Sequence, residues 1–246
     1  MKTLFLTSNL DTYYKDENGN RIAKPISNTN QMLDNLKSSI GKYDHALYIA
    51  SDPTDYEKTD QYSSLIFDSL NMCIPFKKYS VLDGRNKHDA KNLVKSADFI
   101  ILGGGNAPTQ SKFFDEINLG ELLRGLDNVI LGISAGSVNC ASTVYCTPEL
   151  EEEGRDPNFQ KYYNGLGLTE INVMPHYEVL RDEVVAGKST WNEHIIPDSQ
   201  DITIFAIPDG SYIMLTKESA KLFGEGHIVS DGKVHDIAKD GDVTEL

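Results

Sequence analysis

The chain has 246 residues, a formal net charge of −14 and ordinary globular fractions of hydrophobic (39%) and charged (24%) residues, a length that fits a single α/β domain, 1–246, on one core. Three cysteines, Cys73, Cys140 and Cys146, lack Cys-x-x-Cys spacing, which fits a reducing compartment and argues against a disulfide frame or a thiolate zinc site. The acidic balance argues against nucleic acid, whose binding needs clustered Lys and Arg, and against a membrane there is no run near the roughly 18 apolar residues that a spanning helix needs.

In chain order, residues 1–8 carry one positive charge and an apolar run too short for a signal-peptide core of about 7 to 15 residues. They read as a first buried strand, and the cytoplasm is the expected location. Further short apolar runs follow at 46–50, 99–102, 129–132 and 202–207. Between them, residues 29–40, 56–70 and 89–95 place apolar side chains at three- and four-residue intervals, as helices covering a sheet do. The alternation predicts a three-layer α/β/α sandwich with a mostly parallel sheet. After about residue 200, strand-like runs separated by Pro208-Asp209-Gly210, Gly224-Glu225-Gly226 and Asp231-Gly232 predict an antiparallel extension of the same domain. Polar segments at 11–28 and 147–164 interrupt the pattern, at lengths typical of lids and binding loops as well as of solvated surface.

The sharpest chemical signal is Gly132-Ile133-Ser134-Ala135-Gly136, directly after the strand-like 128–131. A serine on a tight strand-to-helix turn needs small neighbours so that the backbone can bend and the hydroxyl can project above the sheet. The bare pattern arises by chance in on the order of a tenth of chains this long, so its weight comes from its position. Ser134 is the candidate nucleophile, with the Ala135 N–H as a first oxyanion donor at the head of the following helix. Gly103-Gly104-Gly105-Asn106 follows another buried run at the edge where open α/β sheets bind ligands, and Gly105 is the candidate second donor. Dinucleotide binding is disfavoured because the third glycine of Gly-x-Gly-x-x-Gly falls on Pro108, and no dense metal-ligand spacing occurs. No cofactor is expected.

Among six histidines, His176 in Met174-Pro175-His176-Tyr177 stands at the end of a strand-like run, where an imidazole can take the serine proton near neutral pH. Two acids compete to orient it, Asp209 after a buried strand and Glu149 in the polar loop; the rigid setting favours Asp209.

Taken together, Gly-Gly-Gly-Asn at 103–106, Gly-Ile-Ser-Ala-Gly-Ser at 132–137, Met-Pro-His-Tyr at 174–177 and Pro-Asp-Gly at 208–210 resemble the dipeptidase E and cyanophycinase family of serine peptidases in order and spacing. The resemblance implies the class I glutamine amidotransferase-like, flavodoxin-like fold, with serine in place of that fold's usual cysteine nucleophile. It implies Ser134 as nucleophile, His176 as general acid and base, Gly105 and Ala135 as oxyanion donors, and either Glu149 or Asp209 as the third member. Dipeptidase E takes N-terminal Asp with an arginine after its histidine motif. Here the corresponding stretch reads Gly187-Lys188-Ser189-Thr190-Trp191, which leaves Lys188, with Asn106, as the candidate substrate-binding residues and the Asp preference open. A small peptide is the expected partner, with the protein a monomer or homodimer. The competing readings are a non-catalytic ligand-binding protein of the same fold and an esterase or amidase of α/β-hydrolase type.

Overall fold

Four of the apolar runs become short buried strands, Thr3–Thr7 (β1), His45–Ile49 (β2), Phe99–Leu102 (β4) and Val129–Ile133 (β5), and a partly exposed strand, Lys78–Leu82 (β3), falls between β2 and β4 in the chain. In this computed structural model, which describes residues 3–246, they pair in parallel in the order β3-β2-β4-β5-β1. Met1 and Lys2, expected at the head of the first strand, lie outside the described residues.

Side chains on a strand alternate between faces, and β1 divides accordingly. Leu4 and Leu6 pack into one core and Phe5 into the other. Met32–Ser39 (α1) and Tyr56–Cys73 (α2) cover the Phe5 face through Met32, Leu36, Ile66 and Leu70. Ala90–Ser96 (α3), Ala107–Glu116 (α4) and Leu119–Leu123 (α5) cover the other face through Val94, Phe113, Phe114 and Leu123. The three layers are thus set by strand alternation, each fully buried large side chain contributing about 1.5–3 kcal/mol of transfer free energy. Among the described residues no helix is long and apolar enough to cross a membrane.

The C-terminal strands divide between two sheets. Asn172–Met174 (β6) and Ile204–Ala206 (β7) pair in parallel, and Gly226–Ser230 (β10) and Lys233–Ala238 (β11) extend them into a four-stranded sheet. Tyr212–Leu215 (β8), Ala220–Phe223 (β9) and Val243–Glu245 (β12) instead continue the main sheet beyond β1 in antiparallel fashion. The 202–207 run therefore does not join the main parallel sheet as expected. The edge of β1 is taken by β8, and Ile204 and Ala206 are buried in a separate small core with Met174, Trp191, Ile195 and Val229. An apolar run reports burial but not which sheet provides it. Strand β3 escaped the sequence reading for the complementary reason: Lys-Tyr-Ser-Val-Leu is a partly exposed edge strand with little apolar contrast.

Candidate active site

Strand β5 ends in a forced turn. Ser134 has φ 50° and ψ −114°, a conformation that non-glycine residues adopt only when the surroundings hold them there. The Ser134 N–H donates to the Thr7 carbonyl at 3.0 Å, and Ala135–Val138 (α6) follows at once. The flanking glycines are a steric requirement. A Cβ on Gly132 would stand 2.6 Å from the Ser137 nitrogen, and one on Gly136 would stand 2.3 Å from the Leu102 carbonyl oxygen. The Ala135 N–H lies in the first turn of α6, where helical N–H groups have no intrahelical partner, and Gly105 lines the same cavity as Ser134 and Ala135.

His176 and Asp209 come from the second sheet. Met174 and Ala206 are paired across β6 and β7, so the residues just beyond the two strands leave the sheet side by side. His176, at φ 60° and ψ 38°, turns its ring toward β5. Its Nε2 lies 3.0 Å from the Ser134 Oγ and its Nδ1 lies 2.8 Å from the Asp209 Oδ1. With Nδ1–H donating to the carboxylate, Nε2 is left to accept the serine proton.

Two residues that sequence reasoning missed complete the array. The Ser8 hydroxyl, one residue past β1, donates to Asp209 Oδ1 at 2.6 Å and accepts from the His176 backbone N–H at 2.8 Å. Asn9 Nδ2 donates to Asp209 Oδ2 at 3.3 Å. Their signal was positional, since a polar pair directly after a buried parallel strand lies at the ligand-binding edge.

The sequence model of peptidase family S51 matches residues 27–223, a span that includes Ser134, His176 and Asp209. The chain belongs to peptidase family S51. It is accordingly a serine-type peptidase. No curated protein matches it in sequence. A 1.5 Å crystal structure of a candidate peptidase E protein from Listeria monocytogenes EGD-e is similar in fold, with a TM-score of 0.57 at 15% identity, over 97% of this chain and 100% of that one.

In this S51 peptidase, burial alone would lower the His176 pKa, but the hydrogen bond and charge of Asp209, with Glu178 and Glu149 further away, raise it above the usual histidine value. Asp209 responds in the opposite sense. Burial would raise it, yet the hydrogen bonds from His176 and Ser8, the imidazole charge and Asn9 hold it below the usual carboxylate range.

Two cavities meet at Ser134 and His176. One, of about 230 Å³, runs between α6 and the loop after β6, with Val138, Tyr145, Met174, Val179 and Leu180 on its walls and Glu149 and Glu183 among them. Part of Glu149 stays open to solvent, but the enclosing protein, and then the Glu153 charge, push its carboxyl up to about 7. Glu149 thus lines the cleft, whereas the acid hydrogen-bonded to the imidazole is Asp209.

The second cavity, of about 250 Å³, lies on the other side of Ser134 against Tyr13, Tyr48 and Tyr62. The two polar segments, 11–28 and 147–164, supply walls to the two cavities through Thr12 and Tyr13 and through Thr147 and Glu149.

The two candidate substrate-binding residues are placed differently. Asn106 caps α4, its Oδ1 accepting from the Thr109 N–H at 3.0 Å while its Nδ2 donates to Glu153 at 2.9 Å. It steadies the acidic loop. Lys188 stands exposed on a hairpin, where Lys188–Ser189 pairs with Val184–Val185, and is not among the residues lining either cavity at Ser134.

Proposed function

We propose that this S51 peptidase hydrolyses dipeptides or other short peptides through an acyl-enzyme on Ser134. The observation that carries this is the continuous chain Ser134 Oγ, His176 Nε2, His176 Nδ1, Asp209 Oδ1, with steps of 3.0 and 2.8 Å, opening into cavities on both sides.

In the first half-reaction Ser134 Oγ attacks the scissile carbonyl as His176 takes its proton. The N–H groups of Gly105 and Ala135 stabilise the oxyanion, and His176 returns the proton to the departing amine as the C–N bond breaks. In the second, His176 activates water to hydrolyse the ester. Asp209 holds the Nδ1–H tautomer throughout and stabilises the imidazolium.

Glu149 and Glu183 on one cavity wall favour a substrate whose free α-ammonium lies there, as in a peptide cleaved close to its N-terminus. An N-terminal Asp side chain placed in that cavity would meet two acids and no Lys or Arg among the lining residues, so the reading does not include a preference for Asp. The three cysteines, Cys73, Cys140 and Cys146, with no Cys-x-x-Cys spacing, suit the reducing cytoplasm.

The test is amine release from a dipeptide panel that includes N-terminal Asp, with wild type and Ser134→Ala side by side. Turnover by the wild type alone supports the proposal. Equal turnover by both, or none by a folded wild type, sinks it.

A further inference from the structure

The two cavities at Ser134 differ in charge as well as position. Among the described residues Lys58 on α2 is the one Lys or Arg lining the tyrosine-walled cavity, whose remaining walls include Tyr13, Tyr62, Leu65 and Ile66. The opposite cavity carries Glu149 and Glu183. A peptide lying across Ser134 therefore meets acids at one end and an ammonium at the other. We propose that the tyrosine-walled cavity binds the residue released in acylation, an apolar or aromatic amino acid whose free C-terminal carboxylate pairs with Lys58. The proposal rests on the peptidase reading and gives it a direction, with the N-terminal ammonium toward Glu149 and Glu183 and the C-terminal carboxylate toward Lys58.

The walls are organised for such an occupant. The Arg21 guanidinium packs over the Tyr62 ring at 4.9 Å and the Tyr13 ring at 5.4 Å, joining the 11–28 segment to α2. Its Nε is buried and, among the described residues, has no hydrogen-bond partner, while its Nη1 donates to Gln61 Oε1 at 3.5 Å. The cavity volume of about 250 Å³ is that of a small site, near the lower limit for small-ligand pockets.

Lys58 is itself exposed and near Asp52, whose Oδ1 accepts from Thr54 Oγ1 and from the Thr54 and Asp55 amides. A pair at this partly hydrated mouth gives a modest preference, screened by salt. The size of the cavity adds a length limit, because a longer product would have to extend past Lys58 into solvent.

The experiment compares Ala-Phe with Ala-Phe amide and Ala-Gly, with alanine p-nitroanilide as a substrate whose leaving group has no carboxylate. Wild type should favour Ala-Phe over its amide by roughly three- to tenfold in kcat/KM, mostly through KM. In Lys58→Gln that ratio should fall to about one, and in Tyr62→Ala the advantage of Ala-Phe over Ala-Gly should shrink.

Calorimetric binding of Ala-Phe and its amide to Ser134→Ala, with and without Lys58→Gln, reads the same ratio without turnover. A failure of hydrolysis is thereby kept separate from a failure of the subsite. An acid-to-amide ratio of about one in wild type, a ratio unchanged by Lys58→Gln, or no binding of either peptide overturns the proposal.

Discussion

The main sheet delivers Ser134 from a five-residue strand whose every residue is buried and which is paired on both sides, whereas the second sheet delivers His176 and Asp209 from three-residue strands over a much smaller core. The nucleophile's conformation is fixed by local steric requirements at Gly132 and Gly136. The base and its acid are fixed by one parallel register and by Ser8, which reaches across from the main sheet to both of them. The difference is one of redundancy: many contacts hold the serine, and a few polar ones hold the pair that activates it.

The hardest break in that arrangement is Ser134→Ala, expected to lower kcat on any accepted peptide by about 10⁴-fold or more while leaving the circular dichroism unchanged. Asp209→Asn should follow, with a loss of about 10³- to 10⁴-fold in kcat, because the amide no longer holds the Nδ1–H tautomer. Glu149→Gln should cost less than about tenfold and act mainly on KM; the reverse order in steady-state kinetics would move the orienting role from Asp209 to Glu149. Ser8→Ala should reduce kcat by about tenfold, the scale of losing one hydrogen bond to a charged group.

The smallest expected effect is in the pH profile. The reaction needs a neutral imidazole, and the His176 pKa lies above its usual value, so the acid limb of kcat/KM should fall above pH 6.5 and move down in Asp209→Asn. The sign for stability is opposite. The protonated imidazole contributes stability that is complete below about pH 6.5 and is lost as pH rises through the raised folded value.

Much of the main sheet could be read from sequence because its rules are local. Alternating burial, helical spacing and the glycines around Ser134 each act within a few residues. His176 and Asp209 could be nominated because each follows a short apolar run and a proline. Their sheet could not be, since pairing Asn172–Met174 with Ile204–Ala206 joins strands some thirty residues apart that carry no label of partnership. Ser8 was hidden by the same non-locality: a lone serine after a strand becomes informative only once Asp209 is beside it. Asn106 caps α4 through the Thr109 N–H, a role that an asparagine at the head of a helix often takes and that the sequence reading did not assign to it.

The contact between Ser8 and Asp209 spans 201 positions, and during synthesis this separation becomes a delay. A growing chain emerges N-terminus first and exposes Ser134 well before the carboxylate that is to hold its base. Until β7 is made and laid beside β6, the imidazole has no Asp209 to orient it. The triad is thereby complete only after the chain has been made through Asp209.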